Sequence, residues 1–194
     1  MYINILLPYK EKFTKNKASS VSLTVSNNLQ FSEYKNYVKI FGQDVQVPLH
    51  QNNFIGVKKS YNFFKSKNQN IADKMCKKIN DQNIRNQLIE IHNRPYLVNS
   101  INSQLNSSHI LTLFIHNDPL EMKGSITVQD REILLSKLDK VYCVSQFIKN
   151  RFLQGISKDL DKVVVLYNGV KRVCKSIPKK KKEVIFVGRI VKDK

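Results

Sequence analysis

The chain has 194 residues and a formal net charge of +18, a size that suits one domain, or one domain with part of a second. Its content of 41% hydrophobic and 25% charged residues argues against wholesale disorder and against a fibrous fold. No apolar run approaches the roughly 18 to 20 residues of a membrane-spanning helix, and the first residues lack the basic start of a signal peptide. We therefore expect a cytoplasmic protein with a packed core.

Cysteine and lysine usage narrow the function classes further. The three cysteines, Cys76, Cys143 and Cys174, form no Cys-x-x-Cys pair, so neither a disulfide framework nor a zinc knuckle is predicted. Of the 33 basic residues 27 are lysines, whereas recognition of phosphates and bases tends to favour arginine. We interpret the charge mainly as compositional bias with a mild attraction to anionic membranes. The alternative, supported by charge alone, is a non-catalytic basic α/β module that binds nucleic acid.

Apolar strand patterns alternate with helical patterns along the chain. In chain order the pattern predicts a strand over 2–7, a helix over 18–29, a strand over 37–41, a helix through 71–79, a strand over 88–91, a helix through 97–105, a strand over 110–115, a helix over 128–138, a strand over 141–144, a helix over 147–153 and a strand over 163–167. The Lys- and Asn-rich segment 56–70 is interpreted as a long loop. The alternation predicts an α/β fold with a Rossmann-like, doubly wound parallel sheet, and the nearly continuous apolar run 110–115 predicts an interior strand.

The pattern changes after the last of these strands. Residues 1–170 are predicted to form an N-terminal domain, and residues 171–182, with Pro178 and four consecutive lysines, to form a basic linker. Residues 183–194 begin with a new apolar strand and a turn. Because a lone strand cannot bury itself, we expect this segment to open a second domain that is truncated in the chain.

Polar residues follow the predicted strands at the edge where open α/β sheets bind their ligands. Two four-residue corners stand out, namely His92-Asn93-Arg94-Pro95 and His116-Asn117-Asp118-Pro119. Since they follow successive strands, we expect them to lie side by side. Their imidazole, carboxamide, guanidinium and carboxylate groups suit polyhydroxylated or phosphorylated ligands. The alternative is that these residues only form turns and helix caps.

The corners belong to a set of motifs with a distinctive order and spacing. The set comprises His92-Asn93-Arg94-Pro95, the stretch 116–125, Tyr142-Cys143-Val144-Ser145-Gln146-Phe147, Tyr167-Asn168-Gly169-Val170 and Phe186-Val187-Gly188-Arg189. With these motifs the chain resembles the N-terminal half of a family 4 glycosyltransferase with the GT-B fold, in which two Rossmann-like domains face each other across a cleft. The resemblance implies retaining transfer of a sugar from a nucleotide-sugar to a glycan or lipid-linked acceptor of the lipopolysaccharide or cell-envelope type, without a metal or other cofactor.

The resemblance also implies roles for individual residues. His116 matches the position that the family presents near the reacting sugar, where it would hydrogen-bond a hydroxyl or act as a general base. Gly188, Arg189 and Lys194 match the donor-binding loop, and the two cations would stabilise the charge of the departing nucleoside diphosphate. The residues expected to line the acceptor cleft are Ser19, His92, Asn93, Arg94, Asn117, Asp118, Lys123 and Asn168.

Some features depart from the family pattern. The usual Gly-Gly after the first strand is replaced by residues 15–19, Lys-Asn-Lys-Ala-Ser, which leaves the amides of Ser19 and Ser20 to face an anion at a helix N-terminus. Asp159-Leu160-Asp161 spells a metal-binding motif of another glycosyltransferase fold, but it lies in a Lys-flanked turn before a strand, so no metal site is predicted.

Because the chain contains only the first residues of the donor domain, we expect it to lack transfer activity by itself. Its basic surface would attract the enzyme to the cytoplasmic face of the inner membrane.

Overall fold

A computed structural model of the chain describes residues 1–58, 65–106 and 108–169, together with Lys182 and Val184. Its strands are β1 (Ile3–Leu6), β2 (Val38–Gln43), β3 (Phe54–Val57), β4 (Leu88–His92), β5 (Ile110–Ile115), β6 (Lys140–Cys143) and β7 (Val163–Val165). Its helices are α1 (Ser20–Phe31), α2 (Lys67–Gln82), α3 (Val98–Gln104), α4 (Val128–Lys137) and α5 (Gln146–Leu153). In this part of the chain the strands form one parallel sheet of seven. The predicted α/β class with a Rossmann-like sheet is therefore confirmed.

The order of the strands determines where a crevice opens. The sheet runs β3-β2-β1-β4-β5-β6-β7, so the chain builds outwards in one direction from β1 and in the other from β4. The carboxyl ends of β1 and β4 are paired, with Leu6 opposite Ile91. In open α/β sheets ligands bind at such a reversal of strand order, because the following loops diverge there. The loop after β1 and the corner that begins at His92 therefore border the same crevice.

The core forms two layers because alternate residues of each strand face opposite sides of the sheet. Helix α1 packs Val21, Val25 and Leu29 against Ile3 and Ile5 of β1 on one face. The other four helices cover the opposite face, where the buried residues include Leu6, Ile71, Met75, Ile79, Ile89, Ile91, Val98, Ile101, Leu134, Leu135, Ile148 and Phe152. Each fully buried side chain of this kind stabilises the fold by about 1.5 to 3 kcal/mol relative to exposure. The i, i+4, i+8 spacing seen in α1 and α2 thus marks their buried faces.

The prediction of a long loop over 56–70 is wrong at both ends. Strand β3 extends to Val57, and α2 already begins at Lys67, where the Ser66 hydroxyl caps the helix by accepting from the Gln69 amide at 3.1 Å. The sequence pattern did not predict β3 because this strand is short, contains a glycine and lies at the edge of the sheet, where its side chains stay partly exposed. The other predicted elements within the described residues are present, with small shifts at their ends. The run 110–115 is an interior strand, paired with β4 and β6.

The second-domain predictions fall mostly beyond the described part of the chain. Apart from Lys182 and Val184, the predicted linker 171–182 and the segment 183–194 lie outside the described residues.

Among the helices that the structure does describe, none has both the length and the apolar content to cross a membrane.

Candidate functional site

The two His-Asn-x-Pro corners meet through their histidines. His92 is the last residue of β4, and His116 follows the last residue of β5. His92 Nδ1 lies 3.0 Å from His116 Nε2, and the two rings stack with centroids 5.2 Å apart. One ring donates and the other accepts, according to their tautomers. The expectation that the corners lie side by side is confirmed, and they form a polar cluster at the carboxyl edge of the sheet.

Asn93 fixes the relative position of the two corners. Its backbone amide donates to the Phe114 carbonyl at 2.9 Å, and its side-chain Oδ1 accepts from the His116 amide at 2.8 Å. The residue is buried and has a positive φ of 50°, a conformation that asparagine tolerates better than most residues. Asn93 therefore ties the end of β4 to the start of the second corner.

The two histidines differ in exposure and in charge. His92 is 2% exposed and stacks on Phe114 at a centroid distance of 4.7 Å, whereas His116 is only partly buried. Burial, together with the charge that His92 would carry, lowers the pKa of His116 to about 3. At neutral pH His116 is therefore an uncharged ring that hydrogen-bonds. Such a pKa makes it a weak general base, because basicity falls with the pKa of the conjugate acid.

Glu11 brings a carboxylate to the same crevice, and the sequence analysis missed it. It lies in the loop after β1, partly buried, and its Oε2 is buried without a hydrogen-bond partner among the described residues. Burial raises the pKa of this carboxyl, and the charges of Arg94 and His92 partly offset the rise. In the sequence, the only feature that marks Glu11 is that it is a lone acidic residue between Lys10 and Lys12, soon after the first strand. An unpartnered buried oxygen of this kind suits a ligand that donates a hydrogen bond.

Asn68 explains why the loop after β1 stays beside the first corner. Its Oδ1 accepts from the Tyr9 amide at 2.7 Å, and its Nδ2 donates to the Tyr96 hydroxyl at 2.9 Å. Tyr96 belongs to the 3-10 turn Pro95–Leu97, which follows Arg94 directly. Sequence inspection missed Asn68 because it lies in the segment interpreted as a loop. Its two bonds hold the loop that carries Glu11 near the residues that follow β4.

The remaining groups of the first corner and the loop after β5 are partly engaged within the protein. Arg94 is partly buried and donates from Nη1 to the Asn93 carbonyl at 2.6 Å. Lys123 is exposed, with Nζ 5.6 Å from the centre of the Tyr96 ring. Asn117 is exposed as well. Of these side chains, Lys123 and Asn117 remain open to a ligand in solvent.

Asp118 anchors the second corner to the body of the domain. Its Oδ1 accepts from the Leu120 amide at 3.0 Å, and its Oδ2 accepts from Arg151 Nε and Nη2 at 3.0 and 2.8 Å. The bond with Arg151, a residue of α5, is the main cause that lowers the pKa of the Asp118 carboxyl. Since both oxygens are used, the structure gives Asp118 an anchoring role in addition to the predicted place at the cleft.

A buried arginine and a glycine hold the rest of this loop in place. Arg131 is 2% exposed and donates to the carbonyls of Ser125, Ile126 and Gln154 at 3.0, 2.8 and 2.6 Å. Gly124 has a φ of +87°, and a Cβ added there would lie 2.7 Å from the backbone of Tyr96. The loop after β5 thus packs directly on the turn after β4, and only glycine fits at the contact.

Ser19 and Asn168 are the other predicted site residues in the described part of the chain. Ser19 caps α1, where its hydroxyl accepts from the Ser22 amide at 3.3 Å, and Asn168 is exposed beyond the end of β7. The predicted donor-binding residues Gly188, Arg189 and Lys194 lie outside the described residues.

The Asp-x-Asp sequence forms a turn before β7, as predicted. Asp159 has a φ of 56° and precedes the 3-10 turn Leu160–Lys162, whose Lys162 Nζ lies 3.8 Å from Asp159 Oδ1. Within the described ranges, no group of three or more His, Cys, Asp or Glu residues is arranged to hold a metal ion.

No family model matches the sequence, and no curated protein is significantly similar to it. The function is therefore inferred from the motifs and the geometry of this chain alone.

Proposed function

We propose that this chain supplies the acceptor-binding domain of a metal-independent, retaining family 4 glycosyltransferase. The enzyme would transfer a sugar from a nucleotide-sugar to a glycan or lipid-linked acceptor of the cell envelope. One observation carries the proposal, namely that Glu11 and His116 both interact with His92 at the carboxyl end of β4, beside the point where the strand order reverses. The fold alone is compatible with many activities, so the proposal depends on these groups.

The chemistry of these groups matches a saccharide better than an apolar or a strongly anionic ligand. A sugar hydroxyl both donates and accepts hydrogen bonds. The unpartnered Oε2 of Glu11 accepts one bond, and the neutral ring of His116 provides another. Arg94, whose charge is close enough to influence Glu11, limits the cost of keeping a carboxylate partly buried. Two such polar contacts fix the orientation of a ring with several hydroxyls.

The donor side of the proposal rests on the resemblance at Gly188, Arg189 and Lys194. In the proposed reaction an acceptor hydroxyl oxygen bonds to the anomeric carbon while the bond from that carbon to the phosphate oxygen breaks. The electron pair departs with the nucleoside diphosphate. With a pKa of about 3, His116 is a poorer proton acceptor than the departing phosphate, whose second pKa is about 6. We therefore assign the hydroxyl proton to the departing diphosphate and a binding role to His116.

A binding measurement on the 194-residue chain tests this proposal. The chain, labelled with ¹⁵N in its histidines, is titrated with neutral oligosaccharides, with lipid-linked glycans in nanodiscs and with single-stranded RNA. We expect a glycan to shift the ring resonances of His116 at saturating concentration. RNA binding that weakens steeply with salt, without any response of His116 to a glycan, would favour the nucleic-acid module instead.

A pair of matched variants sharpens the same titration. Glu11→Gln removes the charge but keeps the shape, and Glu132→Gln makes the same change on the exposed face of α4. Gln keeps an acceptor oxygen but makes a neutral hydrogen bond, a difference of about 1 to 1.5 kcal/mol, so Glu11→Gln should weaken glycan binding by roughly five- to tenfold. Glu132→Gln should leave it unchanged. Equal affinities for the two variants would remove Glu11 from the acceptor site.

We also propose that the basic surface brings the enzyme to an anionic membrane. The net charge of +18 supports this, since each lysine near such a surface contributes about 1 kcal/mol. Co-sedimentation with vesicles should show binding to phosphatidylglycerol that declines with salt, and little binding to phosphatidylcholine. Equal binding to both lipids would contradict an electrostatic attraction.

A further inference from the structure

We propose that Glu90 is a positioning residue that sets the tautomers of both histidines, so that His116 offers an unprotonated Nδ1 to a ligand. The use of that nitrogen by a saccharide rests on the function proposed above. The tautomers themselves depend only on the contacts of Glu90, His92 and His116, and they can be tested without a ligand.

The first step is the contact between Glu90 and His92. Glu90 and His92 are two residues apart on β4, so their side chains lie on the same face of the sheet. Glu90 Oε2 is 3.7 Å from His92 Nε2, and the two side chains are 18% and 2% exposed. His92 Nε2 is buried and has no hydrogen-bond partner among the described residues. A proton on this nitrogen is attracted by the carboxylate, whereas a lone pair there would be repelled by it.

The second step follows from the chemistry of a neutral imidazole, which carries one proton on one of its two nitrogens. In its neutral form, with the proton on Nε2, His92 has an unprotonated Nδ1. This atom lies 3.0 Å from His116 Nε2, so His116 Nε2–H must be the donor of that bond. Since burial keeps His116 uncharged at neutral pH, its other nitrogen, Nδ1, is unprotonated.

The result is an ordered chain of a carboxylate and two rings. His92 directs its Nε2–H toward Glu90, and His116 directs its Nε2–H toward His92. The lone pair of His116 Nδ1 lies at the other end. Phe114 stacks on His92 at 4.7 Å and shields the middle of the chain from water. Among the described residues, Glu11, in the loop after β1, interacts electrostatically with His92 and with Arg94, which follows β4. An outer nitrogen of this kind accepts a hydrogen bond, so it selects a ligand hydroxyl as donor and orients a hydroxyl that does not itself react.

Nitrogen NMR of the histidine rings tests the inference on the chain as it stands. Two-bond ¹H–¹⁵N spectra at neutral pH distinguish a ring protonated at Nε2 from one protonated at Nδ1. We expect His92 and His116 both to be protonated at Nε2. A spectrum in which either ring carries its proton on Nδ1 would overturn the inference, and this measurement requires no variant.

Two substitutions then assign the effect to Glu90. Glu90→Leu removes the carboxylate, and Glu90→Gln keeps the shape but removes the charge. An electrostatic preference of about 1.4 kcal/mol corresponds to a roughly tenfold change in the tautomer ratio of His92. We expect at least this change in Glu90→Leu, with Glu132→Gln as the unaffected control. Unaltered tautomers in a folded Glu90→Leu variant would contradict the proposal.

The tautomers of the two histidines and the binding of a saccharide are measured separately, so the inference and the proposed function can fail independently. Rings protonated at Nε2 in a chain that binds no saccharide would keep the role of Glu90 and defeat the glycosyltransferase proposal. Saccharide binding by a chain whose His116 is protonated at Nδ1 would do the reverse.

Discussion

The two His-Asn-x-Pro corners have the same residue at three of their four positions, but they are buried to different extents. In the first corner His92 and Asn93 are 2% and 5% exposed. In the second corner His116 is partly buried, and Asn117 is exposed. The first corner is therefore the buried support, and the second carries the more exposed of the two histidines.

The difference arises from where each strand ends. His92 is still part of β4 and pairs with Phe114 in the register of the sheet. His116 lies one residue beyond the end of β5, where neighbouring strands no longer cover it. The same short motif thus gives a buried histidine or a partly exposed one, according to its offset from the strand. Each of the following predictions tests this division between the two corners.

The largest expected effect is at the contact between the loop after β5 and the turn after β4, which follow the two corners. In Gly124→Ala the new Cβ would meet the backbone of Tyr96 at 2.7 Å, at a φ of +87°. Backbone atoms cannot yield as a flexible side chain does, so we expect the free energy of unfolding to fall by about 3 kcal/mol or more. Urea denaturation measures the change. The matched control is Gly169→Ala, whose Cβ would meet nothing within 4 Å and should alter stability by no more than about 0.5 kcal/mol.

The two asparagines should differ in their effect on stability. Asn93→Ala leaves the His116 amide without its partner and places alanine at a φ of 50°, so it should cost about 2 to 3 kcal/mol. Asn117→Ala removes an exposed side chain and should cost no more than about 0.5 kcal/mol. Asn93→Gly, which relieves the backbone but not the lost hydrogen bond, should fall in between. Equal losses for Asn93→Ala and Asn117→Ala in urea would contradict the supporting role of the first corner.

The lowered pKa of His116 predicts a loss of stability on acidification. The unfolded chain binds a proton at its ordinary pKa of 6.5, whereas the folded protein binds it only near pH 3. The contribution is therefore complete above pH 6.5 and is lost as the pH falls toward 3. Its slope is at most about 1.4 kcal/mol per pH unit, and less after screening by water.

Variants identify the residue responsible for that slope. His116→Gln should flatten the dependence of unfolding free energy on pH between about 4 and 6.5. His109, whose pKa burial also lowers, contributes in the same direction, so His109→Gln measures its share. Glu11, whose pKa is raised, acts in the opposite direction. An unchanged slope in His116→Gln would show that this ring is accessible to protons in the folded protein.

Much of the fold was predictable because buried strands and amphipathic helices leave periodic patterns. The apolar run 110–115 and the i, i+4, i+8 spacing of α1 reflect burial directly. Strand β3 was not predictable in this way, since a short edge strand with a glycine and partly exposed side chains leaves little pattern.

The candidate site was only half predictable. Adjacent corners follow from the parallel sheet, because successive strands bring their carboxyl ends to one edge. Glu11 and Asn68 reach the site through loop conformation and a helix start, which depend on tertiary contacts that no local spacing encodes. The position of Glu90 beside His92 follows from strand alternation, but its meaning depends on the bond between His92 and His116.

The most direct test of the central claim compares the two histidines in one experiment. In His116→Gln the new amide keeps a donor for His92, so the free energy of unfolding should stay within about 1 kcal/mol of the original. Glycan affinity should fall by roughly tenfold or more, as expected for a lost hydrogen bond to ligand. The parallel variant His92→Gln replaces a ring that is only 2% exposed. Its free energy of unfolding should therefore fall more than that of His116→Gln. A stable His116→Gln chain that binds glycan with its original affinity would contradict the placement of the acceptor at this corner.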